Sequence, residues 1–151
     1  MVETWGTADN VPDGFMVDVR RQSGLIGAIG PLYARRNEDG VAVGLRVDER
    51  HLNTRGFLHG GVIAALLDIA FSDNVSARGI LGAVTANLTV QYVAKSRPGD
   101  WLEAAASSVD VGRRLAHARG ELRADDRVVA FACASYTLGD IPDARRGLSR
   151  S

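Results

Sequence analysis

Between Val62 and Phe71 every residue is apolar except Asp68. An ionised carboxylate in such surroundings costs several kcal/mol unless it finds partners, or else it keeps its proton. Two roles stay open for it: a structural tie to a backbone amide or to Ser72, or a base held ready for proton transfer. Just upstream, His59-Gly60-Gly61 leads into the same run. Glycines at a helix start expose backbone N–H groups where the helix dipole is positive, which suits an oxygen that gains negative charge during a reaction. A tight loop-to-helix turn would use the same two glycines. A carboxylate and potential oxyanion donors in one stretch mark a candidate functional site.

Other chemistries are less well served. His51, His59 and His117 do not have metal-ligand spacing, and Cys133, the one cysteine, has no neighbour to complete a site. No Gly-x-Ser-x-Gly elbow is present for a serine nucleophile. Neither a metal nor a cofactor is expected. Eighteen basic side chains balance eighteen acidic ones, so no net field argues for nucleic acid or a membrane surface.

The elements that must position these groups read off the hydrophobic pattern. The run around Asp68 is apolar on nearly every side of a helix, with Gly60–Gly61 before it and Gly79 behind. Ten such residues are too few for a bilayer, so the helix is expected at the centre of a soluble domain. On it Asp68 shares a face with Gly61, Ala64, Ala65 and Ser72, small neighbours that leave room for an approaching group. Ahead of it, residues 32–36 and 41–48 flank the turn-forming Asn37-Glu-Asp-Gly40. Val41, Val43, Leu45 and Val47 alternate with Ala42, Gly44, Arg46 and Asp48 as in a half-buried strand. After it come four strands, at 85–93, 101–111, 115–123 and 128–138, joined by short turns that enforce antiparallel neighbours. In the first of these, Thr85, Asn87, Thr89 and Gln91 alternate with Ala86, Leu88, Val90 and Tyr92. The segment Phe15–Arg21 suits a short helix or a strand equally, and 24–31 reads as a glycine-punctuated loop. One domain is expected at 32–138, with 1–31 a lead-in packed on it and 139–151 a flexible tail. The fold class is α+β: an antiparallel sheet of five or six strands curled round one long helix. No hydrophobic leader precedes it, so the cytoplasm is the expected compartment.

His51-x-Asn53-x-x-Gly56-x-x-His59-Gly60-Gly61, then Asp68, then Val84-Thr85 opening a strand, resembles the acyl-CoA thioesterase branch of the hot-dog fold, and within it the phenylacetate-pathway thioesterase-like group. The resemblance runs from about Tyr33 to Leu138 and takes in Gly112-Arg113 and the Val129-Ala-Phe-Ala run. It implies that Asp68 activates water as general base, or attacks the carbonyl itself, and that Thr85 orients that water, with Ser72 able to share the task. It implies further that the Gly60 N–H and the Asn53 amide polarise the thioester carbonyl while His59 shapes the loop. In such proteins two subunits join their sheets edge to edge, the Asp coming from one chain and the Asn/Gly pair from the other. A homodimer pairing into a dimer of dimers, acting on acyl-CoA, is the resulting expectation.

The phosphates of CoA would need cations. Lys95 and Arg97 beside the Pro98-Gly99 turn, and Arg113 and Arg114 at the next turn, are the candidates, and Gly61 and Ser72 are further substrate-binding candidates. Phe57, Leu58, Ile63 and Phe71 are apolar candidates for the acyl pocket. Alternative readings are a non-catalytic acyl-CoA-binding module, a hot-dog hydratase or dehydratase, and a purely structural dimerisation domain. The buried carboxylate argues against the first, because binding alone gains nothing from it, and the His/acid pattern of the second is not found.

Overall fold

The computed structural model describes residues 10–139. The expected lead-in before residue 10 and the expected tail from residue 140 lie outside the described residues. Seven strands and two α-helices follow in the order β1 (Met16–Val17), α1 (Gly24–Ile29), β2 (Tyr33–Asn37), β3 (Gly40–Arg46), α2 (Gly60–Ala77), β4 (Val84–Tyr92), β5 (Trp101–Val111), β6 (Leu115–Ala124) and β7 (Arg127–Thr137), with a 3₁₀ turn at Glu49–His51. The strands form one antiparallel sheet in the order β1-β2-β3-β5-β6-β7-β4. It exceeds the expected six strands by β1, two residues that pair with Ala34 and Tyr33. The segment 24–31, read as a loop, contains α1.

The sheet curls round α2, which buries Ile63, Leu66, Leu67, Ala70, Phe71, Asn74 and Val75 against it. The helix is 18 residues long, longer than its apolar run suggested; what assigns it to a core is this packing. Asn74 fastens its far end: the side chain accepts from the Val41 N–H at 3.0 Å and donates to the Val41 and Ala70 carbonyls at 2.7 Å. Gly40 allows this, because it sits at φ +130° and a Cβ there would lie 2.3 Å from Asn74 Oδ1.

Two strands depart from the expected alternation. β3 is buried on both faces rather than one, since Phe15, Tyr33, Ala42 and Trp101 form a second apolar cluster on the side of the sheet away from α2. In β4 the register shifts between Thr85 and Asn87. Thr85 pairs with the buried Tyr136 and faces α2, whereas Asn87 pairs with Ser135 and faces outward. A bulge adds one residue and turns the side chains beyond it to the other face.

Candidate active site

Asp68 is half-buried rather than enclosed, because it lies on the flank of α2 that the sheet leaves uncovered, in line with Gly61, Ala65 and Ser72. Its Oδ1 accepts a hydrogen bond from Thr85 Oγ1 at 2.8 Å. The Tyr136 hydroxyl lies 3.1 Å from that same oxygen and 3.1 Å from the Asp68 carbonyl oxygen, sharing one proton between them. Burial and the neighbouring Asp68 carboxylate push the Tyr136 phenol far above its ordinary range, so it is a fixed donor. Asp68 Oδ2 accepts no hydrogen bond from the described residues and is open to a water. The Thr85 contact depends on the β4 bulge: with unbroken alternation Thr85 would face outward together with Asn87. Ser72 is one turn further along α2 and does not bond Asp68; the hydroxyl that the sequence did not single out, Tyr136, takes that place. Its signal was an inward-facing tyrosine in a strand whose other inward positions, Ala130, Ala132 and Ala134, are small.

The donor groups belong to the loop between the 3₁₀ turn and α2. Asn53 Oδ1 accepts from the N–H groups of Arg55 (2.9 Å) and Phe57 (3.3 Å), which fixes the orientation of its amide. The Asn53 Nδ2 group is left with no partner among the described residues. His59 caps α2: its Nδ1 accepts from the Gly61 N–H at 2.8 Å, and its carbonyl accepts from Val62 and Ile63. Gly61 therefore offers no free donor, and its contribution is its lack of a side chain. The Gly60 N–H has no partner among the described residues, and the Tyr92 hydroxyl donates to the Gly60 carbonyl at 2.9 Å.

Beside this loop a cleft of about 370 Å³ is lined by Leu25, Ile29, Leu52, Val62 and Ala65 together with Arg50, His59 and Gly61. Leu58, Ile63 and Phe71, expected at a pocket, are instead 5%, 3% and 0% exposed in the core. Phe57 is half-buried under Lys95, whose Nζ stands 4.4 Å from the ring centre. Arg97 is exposed next to Asp100, to which its backbone N–H donates at 3.0 Å. Arg113 and Arg114 line a surface depression at the β5–β6 turn with Val111 and His117. The two cation pairs thus stand at opposite ends of β4, Lys95 and Arg97 beyond Tyr92, Arg113 and Arg114 near Val84. Of the remaining histidines, His51 is buried with both nitrogens bonded, and His117 lies in an outer-face groove with Nδ1 2.9 Å from Ser135 Oγ.

A sheet wrapped on one long central helix is the hot-dog architecture. The thioesterase superfamily matches residues 55–131. A Pseudomonas aeruginosa protein named "Putative esterase" is 33% identical over 132 residues, covering 85% of this chain and 98% of its own. The structure of a mutant of the phenylacetic acid degradation protein PaaI from Thermus thermophilus superposes with a TM-score of 0.68 at 29% identity, covering 76% and 97% of the two chains. A Bacillus halodurans protein solved with CoA gives 0.60 at 30% identity, covering 65% and 66%. The chain belongs to the thioesterase superfamily.

Proposed function

We propose that the chain is an acyl-CoA thioesterase in which Asp68 is the general base and the Gly60 N–H and Asn53 Nδ2–H form the oxyanion site. The observation that carries this reading is the Asp68 carboxylate, held through one oxygen by two hydroxyls and open at the other. CoA bound to the similar Bacillus halodurans protein supports the substrate class. In the proposed reaction a water on Asp68 Oδ2 gives its proton to the carboxylate while its oxygen bonds to the thioester carbon. The carbonyl oxygen takes up the charge and is met by the two donors. The C–S bond then breaks, and the departing thiolate recovers the proton from Asp68, leaving a free acid and CoA.

One chain does not bring these groups to one carbonyl. Gly60 and Asp68 are eight residues, about 12 Å, apart along α2, and N–H groups at a helix start point away from the helix. The active form in this reading is a two-fold dimer joined through β4. That strand is nine residues long, pairs among the described residues with β7 alone, and carries the exposed Val84 and Tyr92. A free edge of that length favours a second strand, while the opposite edge, β1, is two residues long. Antiparallel pairing of two β4 strands centred near Leu88 sets the Thr85 end of each against the Tyr92 end of the other. Gly60, bound to Tyr92, then approaches the Asp68 of the second copy. The same pairing draws Lys95 and Arg97 of one copy toward Arg113 and Arg114 of the other, giving the CoA phosphates four cations at one mouth.

The test is release of free thiol from a panel of acyl-CoAs by the parental protein and by Asp68→Asn. Turnover by the variant is expected to fall at least ~100-fold with circular dichroism unchanged. A folded Asp68→Asn protein working at the parental rate would exclude Asp68 as the base, and thiol release from no acyl-CoA by the parental protein would overturn the activity itself.

A further inference from the structure

α1 is six residues long, buries none of them, and is far too short to persist by itself. Besides Ile26, which packs against the core, what ties it down is at its C-terminal end, where the last carbonyls of a helix have no partner within it. The Ala28 carbonyl accepts from Arg50 Nη1 at 3.5 Å, the Ile29 carbonyl from His51 Nε2 at 2.7 Å, and the Gly30 carbonyl from Arg50 Nη2. Three successive carbonyls are thus met by two successive residues of the 3₁₀ turn that precedes Asn53.

His51 does more than cap. Its side chain is fully enclosed, and its two nitrogens act in opposite senses. Nδ1 accepts from the Asp48 N–H at 2.9 Å while Nε2 donates to Ile29. A backbone N–H only donates and a carbonyl only accepts, so the neutral Nε2–H tautomer alone satisfies both. The His51 carbonyl in turn accepts from the His59 N–H at 2.8 Å, the residue immediately before Gly60. One buried residue therefore joins the three: its imidazole ties the wall of the cleft to the 3₁₀ turn, and its backbone carbonyl ties that turn to the loop that carries the proposed oxyanion donors. The cleft itself is apolar apart from His59 and Arg50, and Arg50 is committed to the α1 carbonyls and the Asp48 carboxylate.

We propose that His51 is a positioning residue that seats α1 against the donor loop, and that α1, through Leu25 and Ile29, forms the wall that selects apolar acyl groups. This rests on the acyl-CoA reading above and deepens it. The acyl chain lies between α1 and the Val62–Ala65 face of α2, and its fit depends on where the Arg50–His51 clasp sets the C-terminal end of α1. The clasp acts on binding of the acyl chain and not on the proton transfer at Asp68.

Two isosteres separate the two bonds of the imidazole. His51→Asn places an acceptor at the Nδ1 position but does not reach Ile29; His51→Gln places a donor at the Nε2 position. The measurements are kcat and KM for acetyl-CoA and octanoyl-CoA, and amide hydrogen exchange over residues 24–29 with S-octyl-CoA, a thioether that is not hydrolysed, or with CoA alone. Expected for His51→Asn is a KM for octanoyl-CoA raised about tenfold with acetyl-CoA unchanged, a shift in KM rather than kcat. His51→Gln stays near the parental values, and S-octyl-CoA, unlike CoA, slows exchange at 24–29 in the parental and Gln proteins only. Leu25 is 69% exposed, so Leu25→Asp folds whatever becomes of His51→Asn, and it is expected to raise the octanoyl-CoA KM in the same way. Equal octanoyl-to-acetyl ratios in parental, His51→Asn and Leu25→Asp proteins, or no protection of 24–29 by S-octyl-CoA in the parental protein, would overturn the proposal. Protection without thiol release from any acyl-CoA would instead retire the hydrolytic reading and leave the wall standing.

Discussion

The two halves of the proposed site, the Asp68 base and the Asn53/Gly60 donors, are held by different means. Asp68 is positioned by side chains that arrive from far along the chain: Thr85 from β4 and Tyr136 from β7, 17 and 68 residues away in sequence. Asn53 and Gly60 are positioned mainly by their own neighbourhood, through an Asx turn closed by Arg55 and Phe57 and through the His59 cap, with Tyr92 adding a bond to the Gly60 carbonyl from β4. The proton-transfer half therefore inherits the rigidity of the sheet. The donor half inherits the geometry of one loop, and with it a dependence on imidazoles that must accept hydrogen bonds.

The donor half should break at the largest cost. A Cβ at Gly60 would lie 3.2 Å from the Tyr92 ring, so Gly60→Val displaces Tyr92 from the Gly60 carbonyl and sets bulk beside the N–H. Loss of one oxyanion donor is worth about 3–4 kcal/mol in the transition state, so kcat/KM should fall about 10²–10³-fold. Unchanged kinetics in a folded dimer would remove Gly60 from the site.

Whether the halves come from different chains is tested by mixing them. Asp68→Asn and Asn53→Ala proteins, each inactive, are unfolded and refolded together. Random pairing makes half the dimers mixed, and each mixed dimer regains one site with both native residues. About a quarter of all sites should then work if the two sites act independently. Activity no higher than that of the separate variants, with mixed dimers confirmed by mass, would place both halves in one chain.

Within the acid half the effects should be smaller, because the carboxylate survives each change. Thr85→Val and Tyr136→Phe each remove one hydrogen bond to Oδ1. A drop of about tenfold in kcat is expected for each, with KM little altered. Tyr136→Phe should also cost about 1 kcal/mol of stability in denaturant titration, since the ring stays buried and only the hydroxyl is lost. If neither variant changes kcat, Asp68 does not need its two hydroxyl partners.

The same contrast explains what could be read without coordinates. The donor loop is local, so its residues stand in sequence order and its spacing carries the information. The strands from β2 onward were likewise legible from periodicity, to within a residue or two at their ends, whereas the ends of α2 were marked by Gly60–Gly61 and Gly79 rather than by its shorter apolar run. The bulge at β4 was not, because residues 84–92 alternate without a glycine or proline to mark an added residue; the break shows only against the register of β7. Tyr136 was missed for a related reason, its role existing only once β7 lies beside α2. Ser72 drew attention because helix spacing is visible in sequence, yet a partner across the sheet reached the carboxylate instead. The double burial of β3 escaped notice because the residues covering it, Phe15 and Trp101, come from segments on either side of the helix. α1 has glycine at two of its six positions and is held by contacts to Arg50 and His51, so propensity gave no sign of it.

The smallest expected effect is a pH dependence that separates the two kinds of support. Burial pushes the His51 imidazole below its ordinary value of 6.5, against the smaller opposing influences of the Ile29 carbonyl bond and the Asp48 carboxylate. The folded protein thus refuses a proton that the unfolded chain accepts near pH 6.5. Between the two pKa values the unfolded state binds more protons, so stability rises with pH there and is lost as pH falls below about 6.5. Above that range His51 is neutral in both states and adds no slope. The second window lies lower: the hydrogen bond from Arg20 draws the Asp18 carboxyl down to about 2, so its contribution is present above the ordinary 3.8 and disappears as pH falls toward 2. Denaturant titrations from pH 8 to pH 5 should therefore show a plateau and then a decline, while Asp18 contributes a constant. His51→Asn, which carries no imidazole, should remove most of the decline in that interval and leave the one below pH 4 in place. A decline of the same size in His51→Asn would show that the acid-sensitive group lies elsewhere than the clasp beside the donor loop.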